Sequence, residues 1–214
     1  MASLPKPETV YTEDEYLAIE RASRERRQYL DGQIYAMAGE SLAHGTTCTN
    51  LTVEVGSQLK GTPRQAFSKD TKVRSAPLPE SRYSTEGLYS FPDLVVVCGE
   101  PKFLDEHRDV LINPKVILEV LSPSTEAFDR GEKFARYREH LDSLTDYVVV
   151  AQSTPLIEHF ARQPNGEWVI AASATELSET VVLNSIGCTS RLSEVYDRMV
   201  FPTPSDEEEH SSEN

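Results

Sequence analysis

The chain has only three cysteines, Cys48, Cys98 and Cys188, spaced far apart and without a C-x-x-C pair. So sparse and odd a set argues against a disulfide framework or a zinc site, and suits reduced thiols in a cytoplasm. Long apolar runs are missing too. None approaches the roughly 20 residues that cross a bilayer, so no membrane partner is expected. The first eleven residues carry Pro5 and Pro7 and no apolar h-region, which gives no sign of a signal peptide. There are no internal repeats and no second domain. Basic residues are scarce: 21 Lys and Arg stand against 35 Asp and Glu, a formal net charge of −14. The five acids of Ser205–Asn214 account for only part of this, since −9 remains without them. A chain so acidic cannot rely on general counterion release to hold nucleic acid. Any DNA binding has to come from a local basic patch or from metal ions.

What remains is an ordinary globular composition, 38% hydrophobic and 8% aromatic over 214 residues. That is enough chain for one sheet covered by helices. We expect an N-terminal arm over residues 1–11, a folded domain over 12–200 and a disordered acidic tail over 201–214, too polar to pack.

Thr12-Glu13-Asp14-Glu15 reads as a helix start, with Thr12 as N-cap and Glu15 as its capping-box partner. A charged stretch follows from Arg21 to Arg27, then an Asp31-Gly32 turn and a strand over Gln33–Met37. Leu51, Val55 and Leu59, spaced by four, predict an amphipathic helix over Leu42–Leu59. Gln65–Arg74 suits one strand, and Pro77–Tyr89, rich in Pro, Ser, Glu and Gly, an exposed excursion. Three short Val- and Ile-rich runs, at Leu94–Cys98, Val116–Leu121 and Tyr147–Ala151, predict strands buried on both faces. Between the last two, Phe134, Tyr137 and Leu141 mark a helix over Asp129–Leu141, which makes a strand–helix–strand crossover. Pro164-Asn165-Gly166 predicts a hairpin joining strands at Ile157–Ala161 and Trp168–Ile170. A strand at Val181–Leu183 and a short helix at Leu192–Met199 complete the reading.

One residue does not belong where it stands. Glu119 lies inside the buried run Val116–Leu121, where a lone ionised carboxylate costs several kcal/mol. It must be paired, protonated or metal-bound. On a strand it shares a face with Ile117 and Leu121 while Val120 points away. Asp93, after Pro92 at the mouth of the first run, is a second carboxylate able to reach the same side of the sheet. Lys133, four residues after Asp129, has Arg136 and Tyr137 beside it. Its stem can run along apolar surface and bring its ammonium to the sheet edge. Two carboxylates select a hard cation such as Mg2+ or Mn2+. A structural partner for Glu119, Lys133 or Arg136, satisfies the same chemistry without any catalysis. His44, at the start of the long helix, suits either a hydrogen-bonded structural role or a phosphate contact. Ser122, Ser124 and Thr125 suit capping of the turn into the next helix.

Pro92-Asp93, the segment Glu119-Val120-Leu121-Ser122-Pro123-Ser124-Thr125, then Asp129-Arg130-Gly131-Glu132-Lys133-Phe134, Tyr137-Arg138 and Leu144–Tyr147 together resemble the Uma2 family (DUF820). Asp31–Gly39, His44 and Asn50-Leu51 resemble its N-terminal signature. That family belongs to the PD-(D/E)XK nuclease superfamily, and the likeness runs from about Thr12 to about Tyr196. It implies a restriction-endonuclease-like α/β fold, a mixed sheet flanked by helices with an added C-terminal β-hairpin and a metal site at the sheet edge. It also implies that Asp93 and Glu119 hold the metal and that Lys133 acts as a catalytic lysine moved from the strand, where Leu121 stands, to the following helix. Gln28 occupies a position where the family commonly has glutamate. Accessory roles fall to Gln28, His44, Asp129, Arg130 and Tyr137, and Arg130, Arg136 and Arg138 are expected to form a basic rim. The function expected is a cytoplasmic, Mg2+- or Mn2+-dependent DNA endonuclease working as a homodimer. The alternative is a silent module of the same fold that binds nucleic acid or a protein. Sugar hydrolysis by the carboxylate pair is disfavoured by the lysine in the cluster.

Overall fold

The computed structural model describes residues 9–37, 39–77 and 83–201; of the arm expected over 1–11 only residues 9–11 are described, where the Tyr11 amide donates to the Gly32 carbonyl at 2.9 Å, and the acidic tail expected over 201–214 lies, beyond residue 201, outside the described residues. Helix α1 (Glu13–Ala22) starts as its sequence predicts. The Thr12 hydroxyl accepts from the Glu15 amide at 3.2 Å, and the Glu15 carboxylate accepts from the Thr12 amide at 2.8 Å. Strands β1 (Arg27–Leu30) and β2 (Gln33–Ala36) form a tight hairpin around Asp31 and Gly32, with φ of 43° and 86°. Two positive φ angles in a two-residue loop are what the twist of a hairpin demands. The φ of 86° at Gly32 lies in the left-handed region that favours glycine, and a Cβ there would also force the exposed Val10 side chain, 2.5 Å away, to shift.

Helix α2 (Leu42–Gln58) is capped by the Ser41 hydroxyl. The expected single strand over Gln65–Arg74 is in fact two, β3 (Arg64–Ser68) and β4 (Lys72–Ser75). They are broken at Lys69-Asp70-Thr71 and belong to different sheets. The expected excursion ends early, because Leu88–Ser90 is the buried strand β5. There follow β6 (Leu94–Cys98), β7 (Val110–Leu111) and β8 (Val116–Leu121). The helical segment after β8 begins earlier than expected. It runs as α3 (Glu126–Phe128), a π-helical turn (Asp129–Lys133) and α4 (Phe134–His140). Then come β9 (Asp146–Ala151), β10 (Ile157–Arg162), β11 (Trp168–Ala174), β12 (Thr180–Leu183), β13 (Cys188–Arg191) and α5 (Leu192–Val195).

The main sheet has the order β11-β10-β9-β8-β6-β3 and is mixed, since β8 and β9 run parallel and its other pairs antiparallel. Alternation along its central strands feeds two cores. Leu94, Val96, Leu118 and Val120 face α2, the β12–β13 hairpin and α5. Val95, Val97, Ile117 and Leu121 face α4 through Phe134, Tyr137 and Leu141. Val73, Leu88 and Leu111 join this second core from a five-stranded sheet of order β2-β1-β5-β4-β7. That smaller sheet is tied to α1 by stacked Tyr16, Tyr29 and Tyr89 and by the buried pair Arg74–Glu13. The mixed sheet, the crossover and the C-terminal hairpin agree with the fold expected. Its second sheet takes in β2, expected as a strand, and β4, expected only as the end of a longer one, together with β1, β5 and β7, which are too short or too polar to be read in advance.

Candidate active site

Asp93 immediately precedes β6, and Glu119 lies in β8. These strands pair antiparallel with Leu94 opposite Leu118. Extending the register by one step sets Asp93 across from Glu119, and residues so opposed point to the same face with Cβ atoms roughly 5 Å apart. Asp93 Oδ2 accepts the Val120 amide at 2.8 Å, so the carboxylate takes a hydrogen bond that a strand carbonyl would otherwise receive. Asp93 Oδ1 lies 2.9 Å from His44 Nε2. Burial works against the charge on Asp93, but the His44 contact, the Val120 amide and Lys133 outweigh it and hold its pKa below the usual range. His44 therefore anchors Asp93. Its own pKa is raised, since the contact with Asp93 outweighs burial.

Glu119 and Lys133 are each only 3% exposed. The Lys133 ammonium lies 2.8 Å from Glu119 Oε1 and 2.9 Å from Asp129 Oδ1. The Tyr137 hydroxyl reaches Glu119 Oε1 at 3.4 Å and is 2.7 Å from the Ser90 hydroxyl. Asp129 and Lys133, four residues apart in a π-helical turn, both face inward, and the Asp129 carbonyl accepts the Tyr147 hydroxyl at 2.8 Å. Lys133 keeps its proton well above the ordinary lysine range: burial opposes this, but Glu119, Tyr137 and Asp129 prevail. Burial pushes Glu119 up to about 8 despite Lys133.

That shift makes a stability prediction. A carboxyl whose folded pKa lies above its unfolded value stabilises the fold at low pH, and the contribution is lost as pH rises through the folded value. Glu20 and His44 are shifted upward as well and act in the same direction. In chelator, Glu119→Gln is therefore expected to flatten the decline of Tm between about pH 5 and 8 relative to the wild type. Equal slopes in a thermal melt series would show Glu119 to be an ordinary acid.

These groups line a cleft of about 950 Å³ between the end of the main sheet, the β1–β2 hairpin, the start of α2 and the helical segment after β8. Its walls include Gln28, Glu40, His44, Lys69, Asp93, Glu119, Asp129 and Lys133. Of the residues expected at the site, Asp93, Glu119, Lys133, Asp129, His44 and Gln28 thus meet there, with Tyr137 supporting Glu119 from beneath. Arg130 does not. It pairs with Glu126 at 2.7 Å and with Glu158. The expected basic rim fails with it, because Arg136 is held by Asp31 and Glu132, and Arg138 stacks over Phe134. Helical i,i+4 acids and a turn aspartate have claimed these guanidinium groups. The basic groups that do line the cleft beside Lys133 are Arg26, Lys69 and His44, and the first two were missed because their elements carry no apolar pattern. The Ser122, Ser124 and Thr125 hydroxyls also depart from expectation. They bond one another, at 3.0 and 2.9 Å from Ser122, and no side chain caps α3.

The fold superposes on that of a protein of Anabaena variabilis, described as a "putative nuclease belonging to DUF820", with a TM-score of 0.67, 15% sequence identity and coverage of 89% of this chain and 99% of that one. The chain belongs to the Uma2 family, described as "Putative restriction endonuclease", whose model matches residues 13–190. Two uncharacterized proteins of Synechocystis sp. are similar along most of their length. One is 33% identical over 88% of this chain and 92% of its own length; the other is 29% identical over 79% and 91%. Among the described residues no helix is long and apolar enough to cross a membrane.

Proposed function

We propose that the cleft hydrolyses phosphodiester bonds of DNA, with Asp93 and Glu119 binding Mg2+ or Mn2+ and Lys133 as the catalytic ammonium. The observation that carries this reading is the buried Lys133–Glu119 pair on the wall of an open cleft that Asp93 also lines, near enough for its charge to raise the Glu119 pKa. The donors fit a hard cation. Both are carboxylates, and the two side-chain contacts of Glu119 fall on Oε1 alone. When bound, such a cation supplies a water of lowered pKa and positive charge against that building on the phosphate.

The chain's own residues divide the remaining work. The Val120 amide and His44 fix the Asp93 carboxylate, so that it is oriented before any substrate arrives. Asp129 steadies Lys133 from the side away from Glu119, and Tyr137 steadies Glu119. An ammonium fixed in a low-dielectric wall stabilises developing negative charge better than a solvated one. The surrounding strands exclude water from the inner side of the site. Duplex cleavage needs one site per strand, which favours a homodimer.

Supercoiled plasmid and single-stranded DNA, each incubated with Mg2+ or Mn2+, test the reading. Wild type is expected to nick or linearise DNA in a metal-dependent way, and Glu119→Ala to lose both the activity and the metal binding. Equal behaviour of the two proteins would leave the fold as a binding module.

A further inference from the structure

Beside Asp93 stands a set of donors of which the nuclease reading uses only His44, as the anchor of Asp93. Glu40, His44 and Cys48 each offer one ligand atom, and all three atoms lie within 4.8 Å of one another. The spacing is helical. His44 and Cys48 are i,i+4 neighbours on the inward side of α2, and Glu40 lies just before the Ser41 cap. Asp93 adjoins them through its 2.9 Å contact with His44 Nε2. Burial and the neighbouring Asp93 charge keep the Cys48 thiol protonated in the metal-free protein. The sparse, odd set of cysteines argues against a zinc site, but that argument weighs cysteine pairs alone. It does not bear on a mixed set in which one sulfur joins an imidazole and carboxylates.

The donor chemistry differs from that of the Asp93–Glu119 pair. Oxygen ligands alone favour Mg2+ or Mn2+, whereas thiolate and imidazole favour a borderline, tetrahedral ion. Ligand atoms around such an ion sit roughly 3.4–3.8 Å apart, given bonds of about 2.0–2.3 Å. Side-chain rotation from separations of at most 4.8 Å is enough to close the site. Glu40 is the exposed member, and it has to release its ion pair with Lys69.

We propose that Glu40, His44 and Cys48, with Asp93 completing the set, form a second metal site for a thiophilic divalent cation of the zinc type. Binding deprotonates the Cys48 thiol, the proton leaves to solvent, and the metal–sulfur bond replaces it, so the site gains one net positive charge. The Lys69 ammonium, freed from Glu40, faces the same cleft. In a chain of net charge −14, this wall becomes attractive to a polyanion only when the ion is present. That last consequence rests on the nuclease reading; the metal site does not.

Cobalt(II) reports the site without any cleavage assay. Added to the full chain stripped with chelator, one equivalent of Co2+ is expected to produce a thiolate-to-metal charge-transfer band and the visible absorption of a tetrahedral ion. Zn2+ should displace it, and millimolar Mg2+ should not. Cys48→Ser is expected to abolish the charge-transfer band. Glu40→Gln, a surface change that spares the core, should weaken Co2+ binding by at least about tenfold with the band retained. Cys98→Ser should match the wild type. No charge-transfer band in the wild type, a band that survives Cys48→Ser, or one lost in Cys98→Ser would each overturn the proposal. Because the spectrum needs neither DNA nor the Glu119 carboxylate, Glu119→Ala should keep it even if the chain cuts nothing.

Discussion

Lys133→Met is expected to abolish metal-dependent cleavage and to lower folding stability by about 3–5 kcal/mol. The two losses have separate origins. Methionine fills the cavity with a similar stem but leaves Glu119 and Asp129, both buried, facing each other without a cation. Glu119 holds its proton up to about pH 8 even beside Lys133, so the stability penalty should deepen above that pH, where Glu119 ionises with no cation beside it. At alkaline pH, Lys133→Met combined with Glu119→Gln is therefore expected to recover much of the stability and none of the activity. Urea denaturation and plasmid cleavage read the two effects independently. A double variant as unstable as the single one would mean that Lys133 supports the fold by packing alone.

Arg74→Met should be comparably costly to the fold, about 3–5 kcal/mol, for a similar reason at a different place. The Arg74 guanidinium donates to Glu13 at 2.8 and 2.9 Å, and to the Ala76 and Pro77 carbonyls at 3.1 and 2.7 Å. Its removal strands Glu13 beside the Tyr89 hydroxyl under α1, in a pocket closed to water. Because the pair joins α1 to β4 and touches none of the groups offered to the metal, metal binding by the folded fraction should be unchanged. A loss of Mg2+ or Mn2+ affinity in folded Arg74→Met, measured by calorimetry, would contradict this separation of scaffold from site.

Much of the fold could be read from hydrophobic pattern because its central strands are buried on both faces. Leu94–Cys98, Val116–Leu121 and Asp146–Ala151 owe their legibility to continuous Val and Ile, and Thr12 with Glu15 to a side chain–backbone exchange that is purely local. Strand β1 could not be found this way. Arg27-Gln28-Tyr29-Leu30 has one fully buried side chain, Tyr29, and its polar residues look like loop. Strand β4 was hidden likewise, since its Lys72 and Arg74 are buried through partners remote in sequence: Asp109 and Tyr16 for the first, Glu13 for the second.

At the site, Glu119 betrayed itself by being charged in an apolar strand. Asp93 and Lys133 were recognisable only beside it and through the family resemblance. The fate of the arginines was not legible. Whether Arg130 and Arg136 face the cleft or pair with Glu158 and Asp31 depends on where other elements pack, and helical spacing carries no information about that. Cys48 was passed over because cysteines were sought in pairs, although Glu40, His44 and Cys48 were visible at steps of four along the chain.

The π-helical turn at Asp129–Lys133 has a consequence for how this chain should be compared with its relatives. Such a turn amounts to a single inserted residue within an α-helix. Where a relative lacks the insertion, the helix on one side is rotated by about 100°, the angle per residue in an ordinary helix. A lysine at the matching position would then miss the cleft. Aligned without a gap, the two sequences would slip by one residue across this segment, and the inward-facing lysine would be assigned to the wrong neighbour.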